Sequence, residues 1–149
     1  MYILYINTML PKYSKKISKI IRDNDPRGSI ISLVDNKVNN ISIITSFKNT
    51  IRSNHLHKKD WHFMYVLEGR MEYFFIKNKK TYFINLKKGD LVFTPPKELH
   101  ATYFPVKTKL VVASKNKRDK KTYESDTERK QFIDLDSLKS IRYNAKKIL

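Results

Sequence analysis

The chain has four histidines, and three of them fall within "NHLHKKDWH", residues 54 to 62. They are His55, His57 and His62, and the fourth is His100. An imidazole can ligate a transition metal, carry a proton near neutral pH, or simply fill a core. His55 and His57 stand two apart, so on an extended segment both side chains point to one face. His62 opens "HFMYVLEG", which reads as the next strand, and a hairpin can return it beside the first pair. His100 follows "LVFTPPKEL", where Pro95-Pro96 ends one strand and sets up another. Imidazoles converging from neighbouring strands are what a transition-metal ion requires. Carboxylates substitute poorly here, because Glu68 sits by a turn.

The elements that must position these residues read as β. Short runs rich in Ile, Val, Tyr and Phe ("SIISLVD", "NISIITSF", "HFMYVLEG", "MEYFFIK", "TYFINL", "DLVFTPP", "KLVVASK") are punctuated by Asn, Gly, Lys-Lys and Pro. That spacing predicts an all-β sandwich or barrel. Asp25-Pro26-Arg27-Gly28 is a turn signal. Ahead of it, Ile17, Ile20 and Ile21 in "PKYSKKISKIIRD" stand at helical spacing and predict a short amphipathic helix. The last stretch is mostly charged. "QFIDL" reads as a last strand and "DLDSLKSIRYNAKKIL" as a short helix capped by Asp134 or Asp136. The expected division is an arm over 1–24, one β domain over 25–137 and a basic tail over 138–149.

Composition narrows the class further. A chain of 149 residues with 40% hydrophobic and 12% aromatic residues is one folded domain. There are 31 Lys and Arg against 14 Asp and Glu, a formal charge of +17. Such a field attracts nucleic acid, acidic membranes or phosphorylated small molecules. No helix-turn-helix, zinc-finger or aromatic-plus-basic platform motif is present, so nucleic acid is not the expected partner. Cysteine is absent, which excludes disulfides and thiolate chemistry. "MYILYINTML" lacks a basic n-region and a cleavage site and is too short to span a bilayer. It reads as a structural segment, and the expected location is the cytoplasm.

The histidines also carry a family pattern. The first cupin motif runs Gly, five residues, His-x-His, three or four residues, Glu, six residues, Gly. Here the corresponding residues are Asn49, "TIRSN", His55-Leu56-His57, "KKDW", His62, "FMYVLE" and Gly69. The second motif runs Gly, five residues, Pro-x-Gly, two residues, His, three residues, Asn. Here it is Gly89, "DLVFT", Pro95-Pro96-Lys97, "EL", His100, "ATY" and Phe104. The chain thus resembles the cupin superfamily, and the resemblance implies a double-stranded β-helix, or jelly roll. Asn49 stands for the first glycine, a mild change because Asn tolerates left-handed backbone. Lys97 and Phe104 replace the later Gly and Asn, and His62 stands in the carboxylate's place. The resemblance makes His55, His57, His62 and His100 the metal ligands. A four-imidazole set suits zinc, nickel, iron or copper better than manganese or magnesium.

The flanks "DPRGSI", "SIITSFKNTIRSNHLHKKDWH", "LVFTPPKELHATYF" and "SKNKRDKKTYESDTER" are similar to small stand-alone cupins of surface-polysaccharide synthesis. These are related to sugar-nucleotide epimerases and 3,4-ketoisomerases. The resemblance implies an isomerase or epimerase of a nucleotide-linked keto-sugar, working as a homodimer. In that case His55 or His57 is the base, and Tyr65, Tyr73 and Tyr103 are the candidate acids. Arg52 and Lys59, with Lys58, are placed to meet a diphosphate. Two other classes stay open on the same residues: an iron-dependent dioxygenase, and a sugar- or nucleic-acid-binding cupin without chemistry.

Overall fold

The computed structural model describes residues 9–149. The expectation for the opening apolar stretch falls largely on residues 1–8, outside the described residues. Thirteen strands and two short helices follow in order. The strands β1 (Lys15–Lys16), β4 (Asn40–Ser46), β6 (His62–Glu68), β9 (Leu91–Thr94) and β11 (Thr108–Ser114) form one sheet, ordered β1-β9-β6-β11-β4. The second sheet holds β5 (Thr50–His57), β7 (Arg70–Lys77), β8 (Lys80–Lys87), β10 (His100–Phe104), β12 (Thr127–Arg129) and β13 (Lys146–Ile148), ordered β12-β5-β10-β7-β8-β13. Every pairing is antiparallel except β13 on β8. The result is all-β, as the spacing of the strands predicts, and a jelly roll, as the family resemblance implies.

Alternation along the strands builds the core. On β6, Met64 and Val66 face inward with Val92, Leu110 and Val112 of the same sheet, and meet Met71, Tyr73, Phe75, Ile84, Leu86 and Phe104 of the opposite one. Each fully buried side chain of this size contributes about 1.5–3 kcal/mol of transfer free energy. The intervening Phe63 and Tyr65 point outward and pack with Trp61, Leu91 and Phe93. On the outer face of the other sheet, Phe74, Phe83 and Ala101 receive Ile133 and Leu138. Leu138 begins α2 (Leu138–Asn144), which with β13 packs back onto the sheet.

Three local expectations are corrected. Residues 11–23 form no helix; Ile20–Asp25 is instead strand β2, paired with β3 (Gly28–Ser32) across the Asp25–Gly28 turn. The turn is fixed by Asp25, whose Oδ1 accepts from the Arg27 amide at 2.8 Å, and β-branched isoleucines favour the hairpin over a helix of that length. "QFIDL" is not a strand but an irregular stretch stapled by Asn54, which accepts from the amides of Phe132 and Ile133 at 3.1 Å each. The terminal helix starts at Ser137, not at an aspartate cap, although Asp134 Oδ1 accepts from the Ser137 amide at 2.7 Å.

Candidate active site

His55 and His57 leave β5 on its inner face, His62 starts β6 and His100 starts β10, so three strand ends converge at one end of the roll. All four imidazoles are buried. Ring centroids are 4.6 Å apart for His55–His57 and 4.9 Å for His55–His100, and His62 lies 5.6 Å from His57 and 5.5 Å from His100. The motif loops that hold them need left-handed backbone. Asn49, Gly69, Gly89 and Lys97 have φ of 60°, 83°, 90° and 62°. All four motif positions that call for glycine therefore carry positive φ, including the two filled otherwise.

Tautomers follow from the partners. His100 Nδ1 lies 3.0 Å from the Glu98 carbonyl, which can only accept, so the ring proton is on Nδ1 and the Nε2 lone pair is free. Thr127 Oγ1 gives its hydrogen to the Tyr123 carbonyl at 2.6 Å, so towards His57 Nδ1 at 3.4 Å it accepts. That again leaves Nε2 unprotonated. The Nε2 atoms of His55, His57 and His100 are buried without a hydrogen-bond partner. These three residues offer ligand atoms within 4.8 Å of one another.

His62 differs from them. Its Nδ1 is 3.3 Å from an Arg118 terminal nitrogen, which can only donate, so Nδ1 accepts and the ring proton sits on Nε2. His62 lies beside the three-residue set but is not part of it.

Burial keeps these imidazoles neutral. It is the largest cause at each site; Arg118 acts in the same direction at all four, and neighbouring histidines do so at His55, His57 and His62. His55 is lowered to about 2, His57 to about 3 and His100 to about 4, with His62 well below its ordinary value. At His100 the bond to the Glu98 carbonyl partly opposes the fall.

His55, His57 and His62 open onto a cavity of about 350 Å³, also lined by Arg52, Met64, Arg118, Tyr123 and Arg129. Arg129 stands opposite His55 in the β12–β5 ladder. Arg118 and Tyr123 come from the segment ending in α1 (Lys120–Asp126), whose N-cap Asp119 accepts from the Thr122 amide. The sequence reading missed all three. Their stretch shows charge without apolar period, and the Asp119 cap was its one usable signal. Asp60 was also undervalued. It is buried, accepts from the Asn116 amide at 2.9 Å and pairs with Arg118 at 3.1 Å.

The candidate acids separate by strand face. Tyr65 lies on the outer face, within the Trp61–Phe93 cluster. Tyr103 is also outward, and its hydroxyl donates to Asn49 Oδ1 at 2.9 Å. Neither reaches the cavity. Tyr73 is inside, stacked on His100 at 5.8 Å and 10°, but its hydroxyl is held between Ser14 Oγ at 2.7 Å and Thr94 Oγ1 at 2.8 Å. Burial holds that phenol well above its usual range. Ser14 in turn bonds Glu98, whose carboxyl burial raises to about 7. Of the expected diphosphate contacts Arg52 lines the cavity, whereas the exposed Lys59 does not. Lys59 contributes its amide, bonded to Asp126 Oδ1 at 2.9 Å.

Comparison with known proteins agrees with this architecture. Residues 48–113 match the family model described as Cupin domain. Residues 48–113 thus carry the match, and the jelly roll with its histidine-bearing strand ends has the architecture of that fold. Among solved structures, the chain is similar to the TDP-quinovose 3,4-ketoisomerase WlaRB from Campylobacter jejuni, with 20% identity over 77% of this chain and 97% of that one, TM-score 0.65. It is similar to the sugar 3,4-ketoisomerase QdtA from Thermoanaerobacterium thermosaccharolyticum in complex with TDP, with 18% identity over 88% and 92%, TM-score 0.62. The dTDP-4-dehydrorhamnose 3,5-epimerase from Sulfolobus tokodaii aligns at 14% identity over 81% and 78%, TM-score 0.62. No curated protein sequence matches the chain. Among the described residues, no helix is long and apolar enough to cross a membrane.

Proposed function

We propose that this cupin is an isomerase or epimerase acting on a nucleotide-linked keto-sugar. One observation carries the reading: neutral imidazoles with free Nε2 lone pairs share a cavity with three arginines, Arg52, Arg118 and Arg129. Enolisation beside a ketone needs an unprotonated base, and a nucleoside diphosphate needs cationic, multidentate partners. His55 or His57 takes the proton from the carbon next to the carbonyl. Arg52 and Arg129, exposed at the mouth, meet the diphosphate. The activities of the structural neighbours named above support the same choice of substrate class.

As an alternative use of the same lone pairs, the three orphaned Nε2 atoms fit a metal. His55, His57 and His100 would hold a divalent transition ion of the zinc, nickel, iron or copper type. When bound, that ion supplies a Lewis acid. Two copies of the chain are proposed to associate through β4, an edge strand whose Ile41 and Ile43 are 67% and 68% exposed.

The reading is tested by deuterium wash-in from solvent into TDP-linked 4-keto sugars, followed by mass spectrometry. Exchange that requires His55 and His57 is expected. Absence of exchange across a panel of such sugars would remove the enzyme reading.

A further inference from the structure

His62 occupies the carboxylate position of the first motif yet stands outside the metal-fitting set, and its one polar partner is Arg118. That guanidinium is fixed on several sides. Its Nε donates to Ser114 Oγ at 3.1 Å, and one terminal nitrogen donates to Asp60 Oδ2 at 3.1 Å and to His62 Nδ1 at 3.3 Å. The Tyr123 ring packs against it, with its centroid 5.2 Å from the guanidinium carbon. The second terminal nitrogen makes no hydrogen bond among the described residues, and Arg118 lines the cavity beside the histidines.

The other two arginines of the cavity are arranged differently. Both terminal nitrogens of Arg129 are taken by Glu124, at 2.8 and 2.9 Å. Arg52 is turned onto Ser46 Oγ and the Thr45 carbonyl. Both are exposed, whereas the Arg118 side chain is only 17% exposed. A diphosphate can be met at the mouth, while Arg118 is a rigid charge deeper in the site.

We infer that Arg118 is the catalytic residue that stabilises the enolate oxygen, and that His62 and Asp60 are positioning residues that aim it. The inference rests on the isomerase or epimerase reading above. In the step concerned, His55 or His57 takes the proton from the carbon beside the carbonyl. The C–H pair becomes the C=C bond, and the carbonyl π pair moves to oxygen. Arg118 donates a hydrogen bond to that oxyanion and keeps its proton. The carbon is then reprotonated, either at the same position or, after a proton shift between the enediol oxygens, at its neighbour. No oxidant or reductant is consumed. A prearranged donor in a water-poor pocket favours the charge that develops in the transition state over the neutral ketone.

The test compares wild type, Arg118→Gln, Arg118→Lys, His62→Leu and His62→Gln. Wash-in kcat and KM are measured with a TDP-linked 4-keto sugar, and equilibrium binding with TDP alone, which has no carbonyl. Arg118→Gln is expected to lower kcat about 10²–10³-fold, the loss typical of one oxyanion donor, with TDP affinity within about threefold of wild type. Arg118→Lys, which keeps the charge but not the fork, should fall between them. His62→Leu should lose kcat with little change in KM. His62→Gln, whose side-chain oxygen can accept the same bond, should recover part of the loss. Unchanged TDP binding also reports that the variants are folded. If TDP affinity falls with Arg118→Gln while kcat holds, Arg118 is a phosphate anchor and the inference is overturned. Wild-type kcat in Arg118→Gln overturns it too, with the function intact. Absence of wash-in by the wild type removes the function and this role together.

Discussion

Arg52 and His55 line the same cavity although they stand three residues apart on one strand. An uninterrupted strand would put them on opposite faces. The pairing of β5 with β10 explains the difference: His55 faces His100, but Ser53 faces Ala101, so one residue of β5 is bulged out. Ser53 and Asn54, with φ of 71° and 54°, make the bulge. Asn54 then uses its side chain to hold the amides of Phe132 and Ile133 and, through Nδ2, the Ile133 carbonyl at 3.0 Å.

Replacing Asn54 should therefore cost more than a loop position usually does. Asn54→Ala removes those bonds and puts alanine in left-handed backbone, an expected loss of about 2–4 kcal/mol. The loss would be read from urea denaturation midpoints. A change below about 0.5 kcal/mol would mean that the staple does not hold the segment.

Stability should also fall on mild acidification. The imidazoles are neutral when folded, with His55, His57 and His100 lowered to about 2, 3 and 4, and they protonate near 6.5 when unfolded. Below 6.5 the unfolded chain binds more protons, so stability is complete above that pH and is lost as pH falls towards the folded values. Each imidazole contributes a slope of up to about 1.4 kcal/mol per pH unit. Glu98 opposes them. Its carboxyl is raised from 4.5 to about 7, so it stabilises most at low pH and its contribution declines as pH rises through 7. One carboxyl against four imidazoles leaves the histidines in control, and urea midpoints should drop steeply from pH 7 to pH 5. A flat or rising midpoint would contradict the neutral cluster.

Metal binding should depend on three histidines, not four. Titration calorimetry with zinc or nickel is expected to show one site per chain in wild type, lost in His57→Ala and in His100→Ala. His62→Ala should keep it. Loss of the site in His62→Ala alone would reverse the tautomer assignment made from Arg118.

Association through β4 is checked most directly by charge. Ile43→Lys adds a cation to the outer face of an edge strand. Sedimentation velocity should show wild type as a dimer and the variant as a monomer of unchanged fold. A monomeric wild type would dispose of this interface.

The fold was legible because alternation and turn chemistry agree through the middle of the chain. His55 and His57 at period two, Gly69 and Gly89 at their turns, and the Pro95-Pro96 break are each local signals. Gly69 shows how firm they are. A Cβ there would meet the Lys107 carbonyl oxygen at 2.5 Å, and φ is 83°. What the sequence hid depends on three dimensions. The parity of Arg52 turns on a bulge with no glycine to mark it. The acid candidates Tyr65 and Tyr103 were set aside by strand face, which parity along "HFMYVLEG" and "HATYF" could have fixed once the inward histidines were chosen. Arg118, Tyr123 and Arg129 reach the cavity through a charged segment anchored by a three-residue pairing of β12 on β5 and by side-chain bonds to Asp60, none of which has a local sequence signal. Helical spacing at Ile17, Ile20 and Ile21 misled because the hairpin turn just beyond it governs that stretch.

The neutrality of the histidines has a last consequence for the loaded protein. The charge of Arg118, and at His55 that of Arg129, helps to suppress imidazole basicity. A dianion seated against those guanidiniums cancels part of their field. Under the proposed function, an arriving nucleotide would restore some proton affinity to bases that the arginines hold muted. Occupancy and basicity would then be coupled, so the groups proposed to recognise the substrate would also arm the groups proposed to act on it.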